Sequence, residues 1–156
     1  MPSWSDFEAA APELAASVRA RLDAHTHKTL ATLRRDGSPR ISGTETEFID
    51  GELWIGSMWQ ARKAHDLQRD PRFALHSGSD EPRAWAGDAK LAGVAEEITD
   101  PERVREINGE KAPPGPSHLF RLDLREVSTV GLDEARTQLV IEVWTPEDGV
   151  RTIRRA

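Results

Sequence analysis

Residues 28–57 read KTLATLRRDGSPRISGTETEFIDGELWIGS. Three extended segments, Lys28–Arg34, Arg40–Ile49 and Glu52–Ser57, alternate here with the turn sequences Asp36-Gly37-Ser38-Pro39 and Asp50-Gly51. An Asp-Gly step between strand-forming runs is a strong hairpin signal, because tight turns need backbone conformations that Gly and Asp tolerate. Hairpins join their strands antiparallel. A parallel wound sheet would need a long crossover helix between successive strands, and this stretch has no room for one.

Reading outward, Ala61–Arg69 is a short helix stopped by Asp70-Pro71, and Arg72–Ser77 resumes as strand. Gly78–Gly87 is loose, Asp88–Ile98 is a strand, and Asp100-Pro101-Glu102 opens a second short helix that runs to Ile107. Asn108–Pro116 is loop by composition. Leu119–Val130 places Phe120, Leu122 and Leu124 on one face, and Gln138–Thr145 returns through the turn Glu147-Asp148-Gly149 into Val150–Arg154. Before the hairpins, residues 3–23 read as one helix capped by Ser3 or Ser5, with Phe7, Ala11, Leu14, Val18 and Leu22 on a common face. About seven strands and three helices result, a mainly β chain folded as a closed or split barrel with short helices. The expected organisation is a single domain over residues 1–156, with the N-terminal helix in 1–24 and the barrel in 28–154.

Composition narrows the function. The 156 residues carry 27 acidic and 21 basic side chains, a net charge of −6, which argues against nucleic-acid binding driven by phosphate contacts. There is no Cys, so disulfides, thiolate zinc sites and a cysteine nucleophile are excluded. No apolar run approaches the roughly 20 residues that span a bilayer. The start, Met-Pro-Ser-Trp-Ser-Asp-Phe-Glu, lacks the basic and apolar regions of a signal peptide. A cytoplasmic protein with no membrane or nucleic-acid partner is expected. His25-Thr26-His27 sits at a helix end, where capping or surface exposure is the expected role and metal binding is not. The chain has no nucleophile elbow, phosphate loop or dinucleotide glycine fingerprint.

The stretch Ile55-Gly56-Ser57-Met58-Trp59-Gln60-Ala61-Arg62-Lys63 carries the chemical signal. It is a strand ending in a loop that starts a helix. Two cations sit in that helix's first turn, where they oppose the dipole unless an anion binds. The alternative is two solvated surface charges, with Asp66 available to Arg62 at helical spacing.

The run from Ala61 to Leu75, with Arg62-Lys63 at the helix start and Asp70-Pro71-Arg72 before the next strand, resembles the signature of the pyridoxamine 5′-phosphate oxidase-like family. The resemblance covers residues 28–77 and, more loosely, the C-terminal hairpin. It implies a split β-barrel of the FMN-binding type that forms a homodimer. The cofactor, flavin mononucleotide (FMN) or a deazaflavin (coenzyme F-420), would lie at the interface, with hydride transfer to a small-molecule substrate. Carried over by position, Arg62 and Lys63 match the phosphate-binding pair. Gly56 and Ser57 match the strand end that touches the ring or ribityl chain, and Arg40, Ile41 and Ser42 the backbone along the ring's pyrimidine edge. Trp144 and Arg154 match a Trp and Arg beside the ring, with core packing as the other reading of Trp144. No catalytic acid or base is assigned. Thr44-Glu45 stands where the oxidases carry a Lys, which together with the small residues Gly56 and Ser57 favours the deazaflavin. Arg151-Thr152-Ile153-Arg154 lacks the Arg-x-His pair that would hold pyridoxal phosphate, so pyridoxamine phosphate is not the expected substrate. A module that holds a flavin or tetrapyrrole without turnover is the alternative function.

Overall fold

The two Asp-Gly turns close as their sequences require. Gly37 adopts φ +84 and joins β1 (Lys28–Leu33) to β2 (Pro39–Thr44), with Leu33 opposite Pro39 and Lys28 opposite Thr44. Asp50 and Gly51 both take positive φ between β3 (Glu47–Ile49) and β4 (Glu52–Met58). The structure is a computed structural model describing residues 1–156. Five further strands complete its single antiparallel sheet: β5 (Arg72–His76), β6 (Asp88–Glu97), β7 (Ser117–Leu132), β8 (Leu139–Thr145) and β9 (Gly149–Arg155).

The sheet order is β2-β1-β5-β6-β7-β4-β3, with β8 and β9 extending from β7. The strand expected over 40–49 is therefore two strands. Its halves pair at opposite ends of the sheet, β2 with β1 and β3 with β4, and only Glu45 and Thr46 lie between them. So short a connection reaches only if the sheet curls until its ends meet. The ends meet without a ladder between them, which makes the barrel split.

β7 holds the curl together. Ser117–Arg121 pairs with β4, Val127–Leu132 pairs with β8, and the other edge pairs with β6 along its length. The β6–β7 register shifts at Ala92/Gly93, and there the backbones approach so closely that a Cβ at Gly93 would run into the Asp123 carbonyl. Inside the curl Leu30, Leu53, Ile55, Leu75, Leu91, Leu122 and Leu124 are buried. Phe120 joins them at 1% exposure, so it fills the core and does not face an open cleft.

The N-terminal segment is α1 (Trp4–Ala10) and α2 (Pro12–Asp23), two helices where one was expected over 3–23. Pro12 has no N–H to continue the ladder, and it drives the residue before it out of helical space; Ala11 sits at φ −143, ψ 66. Ser3 caps α1 through a capping box with Asp6. The apolar face survives the break: Trp4, Phe7, Leu14, Val18 and Leu22 are all buried. Trp4 meets Phe7 and Phe48 edge-on at 5.2 and 4.7 Å, and Phe7 lies 4.8 Å from Trp144. Arg19 covers the Phe48 ring at 4.2 Å. α4 (Pro101–Asn108), capped by Asp100, covers the barrel's outside over Trp54 and Leu119.

Gly93→Ala should destabilise the fold by about 1–3 kcal/mol, because backbone must move to admit the methyl. Gly43→Ala, which meets nothing within 4 Å, should stay within about 0.5 kcal/mol of the parent. Urea denaturation of both variants tests this, and equal midpoints would contradict it.

Candidate functional site

The gap where the sheet's ends meet is a cleft of about 650 Å³. One wall is the end of β2, Gly43 and Thr44. The other is the end of β4, Gly56 and Ser57, with Met58 and Trp59 beyond it. α3 (Arg62–Arg69) follows the Trp59-Gln60 turn. Ala64 and Leu67 bury one side of this helix in the core, which fixes where its first turn points. Lys63 enters the cleft, where its Nζ donates to the Gly43 carbonyl at 2.9 Å, and burial pushes its ammonium below the ordinary lysine pKa.

Gly43 and Gly56 show what the cleft is shaped to admit. Neither adopts positive φ, so neither is needed for backbone geometry. A Cβ at Gly43 would meet nothing within 4 Å, and one at Gly56 only the His118 carbonyl at 3.9 Å. A side chain at either position would fit the fold and would take up cleft volume.

Arg62, next along the same turn, points elsewhere. It lines a recess of about 670 Å³ with Arg34, Arg35, Asp36, Arg40, His65, Asp66 and Arg69, and with no apolar side chain. Asp66, 3% exposed, organises that recess. It accepts from Thr32 Oγ1 at 2.8 Å, Arg40 Nε at 2.7 Å and Arg69 Nη2 at 3.0 Å. Burial raises the Asp66 pKa, but the bonds from Arg40, Thr32 and Arg69 outweigh it and hold the carboxyl below its ordinary range. Asp66 thus serves Arg40 and Arg69 and not Arg62, the partner its spacing suggested. Arg34, Arg35 and Arg62 make no ion pair within 4 Å; hydrogen bonds from Ser38 lower the Asp36 carboxyl pKa, and of the three arginines Arg34 lies near enough to help.

His118 is the buried polar centre of the cleft wall, on β7 opposite Ser57. Its Nε2 accepts the Gln60 N–H at 3.1 Å, so the ring proton lies on Nδ1, which donates to Glu97 Oε1 at 2.6 Å. The other oxygen of Glu97 accepts from Gln68 Nε2 at 2.8 Å. The Trp59 indole stacks on the imidazole at 4.7 Å and 10°. Gln60 reaches this position through a left-handed backbone, φ 59.

Residues 14–131 match the sequence profile of pyridoxamine 5′-phosphate oxidase. The chain belongs to that family. Among solved structures it is similar to a pyridoxamine 5′-phosphate oxidase-related, FMN-binding protein from Nostoc punctiforme, with 15% identity, TM-score 0.64, and coverage of 90% of this chain and 94% of that one. PhzG from Burkholderia lata, solved with tetrahydrophenazine-1-carboxylic acid, gives 16% identity, TM-score 0.58 and coverage of 92% and 88%. A heme-binding protein from Mycobacterium smegmatis gives 19%, 0.57, 90% and 88%. These likenesses share the split-barrel fold. The chain matches no curated protein in sequence.

Of the residues the family resemblance singles out, Gly56, Ser57 and Lys63 come together in the cleft of this family member. Arg62 and Arg40 lie in the adjoining basic recess. Ile41, 74% exposed, and half-buried Ser42 sit on β2 short of the cleft, and Gly43 and Thr44 form its wall instead. Trp144, expected beside the ring, is 3% exposed and packs on Phe7; β8 turns it inward, opposite Val150. Arg154 is exposed on β9 and lines a separate recess with Arg21, Asp88 and Glu142. Within one chain neither reaches the cleft. His118 and Glu97 are functional candidates that the sequence reading passed over. The available signal was a lone His in the inward-facing register of Phe120, Leu122 and Leu124.

Asp66 carries a pH dependence. Its folded pKa lies below its unfolded value near 3.9, so its stabilisation is complete above that value and is lost as pH falls through the folded one. Asp66→Asn should cost about 3 kcal/mol at pH 7, with a gap to the parent that narrows below about pH 4. A gap unchanged between neutral and acid pH in denaturation experiments would contradict this role.

Proposed function

We propose that this protein is an oxidoreductase that binds a flavin-type cofactor in the cleft and exchanges hydride with a small organic substrate. The observation that carries this reading is the pair of unhindered glycines, Gly43 and Gly56, facing a cleft that a half-buried lysine enters. That is space kept free of side chains, beside a fixed positive charge. The family and the FMN-binding neighbour from Nostoc punctiforme support a flavin-type ligand. Of the two cofactors we favour the deazaflavin. An anionic extension of the phosphate has a destination here, because Arg62 and Arg35 make no ion pair in the recess on the other side of the Lys63 turn.

The cofactor when bound supplies the hydride chemistry. The chain supplies placement. Lys63 holds the phosphate end at the cleft mouth, and Arg62 takes the charge beyond it. Gly43 and Gly56 let the ring system approach the strand backbones, and Trp59 shields one end of the cleft from water. Both nitrogens of His118 are committed to Gln60 and Glu97, so it fixes the wall and holds its proton on Nδ1.

Titration of the purified protein with each cofactor tests the reading. The deazaflavin should bind more tightly than FMN, and a preference of about tenfold for FMN, 1.4 kcal/mol, would reverse the choice. Gly56→Val should weaken either cofactor by at least about tenfold while leaving the fold intact, since β-branched residues suit strands. Arg62→Ala with Lys63→Ala should cost about 3 kcal/mol of affinity or more, from two charge-assisted contacts. Unchanged affinity in both variants would overturn the site. Tight binding with no cofactor reduction by any donor would favour a carrier.

We also propose a homodimer. The β7–β9 face turned away from Trp144 aligns Val130, Ile141 and Ile153 directly, with Leu132 beside Leu139 and Val143 along the same side. Leu139 is 38% and Ile153 39% exposed, an apolar strip that a second copy would cover. A light-scattering mass of 17.4 kDa at micromolar concentration would contradict the dimer.

A further inference from the structure

The turn between β4 and α3 adopts a form that its residues do not favour on their own. Met58, Trp59, Gln60 and Ala61 make a four-residue turn in which the Ala61 N–H donates to the Met58 carbonyl at 3.1 Å. Gln60, third in the turn, takes φ 59, while Trp59 keeps a negative φ. Those signs are those of a type II turn, whose third position belongs by preference to glycine because a Cβ crowds the left-handed backbone. The type I form needs no positive φ and suits most residues. The two forms differ by the rotation of a single peptide, the one that joins Trp59 to Gln60, with the ends of the turn left in place.

One bond selects the strained form. The N–H of that peptide, on Gln60, donates to His118 Nε2 at 3.1 Å, and in a planar trans peptide the Trp59 carbonyl then points the opposite way. Nε2 can accept only while the ring is neutral, because a protonated imidazole carries N–H groups on both nitrogens. The Gln60 N–H and the new Nε2–H would then confront each other. Rotation of the peptide resolves the conflict: the Trp59 carbonyl comes round to accept from Nε2, and Gln60 returns to negative φ. Nδ1 is served in both states, since Glu97 Oε1 accepts from it at 2.6 Å and Gln68 holds the other oxygen of Glu97 at 2.8 Å.

We propose that the Trp59–Gln60 peptide is a pH-operated switch and that His118 is its sensor. Histidine is the side chain whose charge ordinarily changes between pH 5 and 8. Of the charged groups, Glu97 from β6 alone bonds to the ring, and it favours the protonated state. β4 contributes uncharged Ser57 opposite, and the turn contributes the stacked Trp59 indole. The other titratable groups that line the cavities His118 borders are Lys63, Lys111, Arg105, Glu45, Glu47 and His27. With His118 neutral, the turn presents a carbonyl on its side away from the ring; with His118 protonated it presents an N–H there. An acceptor is exchanged for a donor beside a cleft that Trp59 lines, two residues before α3 begins.

Nuclear magnetic resonance of the 15N-labelled protein between pH 8 and 5 tests the switch. The His118 ring resonances and the Gln60 amide resonance should change together, with one midpoint. His118→Phe, which keeps a ring under Trp59, should abolish the Gln60 transition. Gln60→Gly, at an exposed position, decides the matter even if the phenylalanine variant fails to fold. Glycine takes positive φ without cost, so this change favours the neutral form and should lower the His118 midpoint by about half a pH unit or more, about threefold in proton affinity. Three results would each overturn the proposal: a His118 that does not titrate in this range, a Gln60 amide unmoved while His118 titrates, or a midpoint indifferent to Gln60→Gly. No cofactor is needed, so the outcome is independent of the cofactor titrations.

Discussion

Glu45 and Thr46 are all that separates the two ends of the sheet's strand order, and that short tether dictates the architecture. An open twisted sheet would leave β2 and β3 far apart. The tether forces the sheet to curl, the curl creates an interior that Leu30, Leu53, Leu91 and Phe120 fill, and the junction that never zips becomes the cleft. Fold and site are in this sense one constraint. Gly43 and Gly56 sit at the junction, where two strands end without pairing to each other, so their backbones remain approachable.

A second constraint is electrostatic. The chain is acidic overall, at −6, yet it gathers Arg34, Arg35, Arg40, Arg62 and Arg69 around one recess. Asp66 makes this possible. Buried and triply bonded, it pairs with both Arg40 and Arg69 and ties β1, β2 and α3 together. It also leaves Arg62 and Arg35 without an ion-pair partner. One carboxylate thereby separates the arginines it engages from those it does not, and their order in the sequence does not show which is which.

What the sequence disclosed follows from how local each cause is. The Asp-Gly turns and the Asp70-Pro71 helix stop act within a few residues, and both appear where they were expected. The break at Pro12 is equally local, but the apolar face from Phe7 to Leu22 runs on across it, and the structure retains that face over two helices. The split of 40–49 into two strands was not legible, because it depends on which distant strands, β1 and β4, claim each half. Ser57 and Lys63 line the cleft at the strand-loop-helix junction visible in the sequence, whereas Ile41 and Ser42 sit short of the wall because the point where β2 leaves the sheet is a tertiary property. Trp144 had two readings, beside the ring or in the core, and its inward register in an extended strand favours the core. His118 draws its meaning from Glu97 and Gln60, and nothing in the sequence near it announces either partner.

β7 has a consequence for the order in which the barrel is assembled. It is 16 residues long, lies late in the chain, and pairs with β4, β6 and β8. A nascent chain that has emerged only as far as Pro116 can form the β1–β2, β3–β4 and β5–β6 hairpins, but β4 and β6 then present unpaired edges with their apolar faces uncovered. Such edges are templates for pairing with other chains. Closing them requires contacts between segments distant in sequence, the kind that folds slowly. Biosynthesis therefore contains a vulnerable interval that ends when β7 arrives, and the helices at the N-terminus, made first, must wait through it for the β7 and Trp144 surfaces against which they pack.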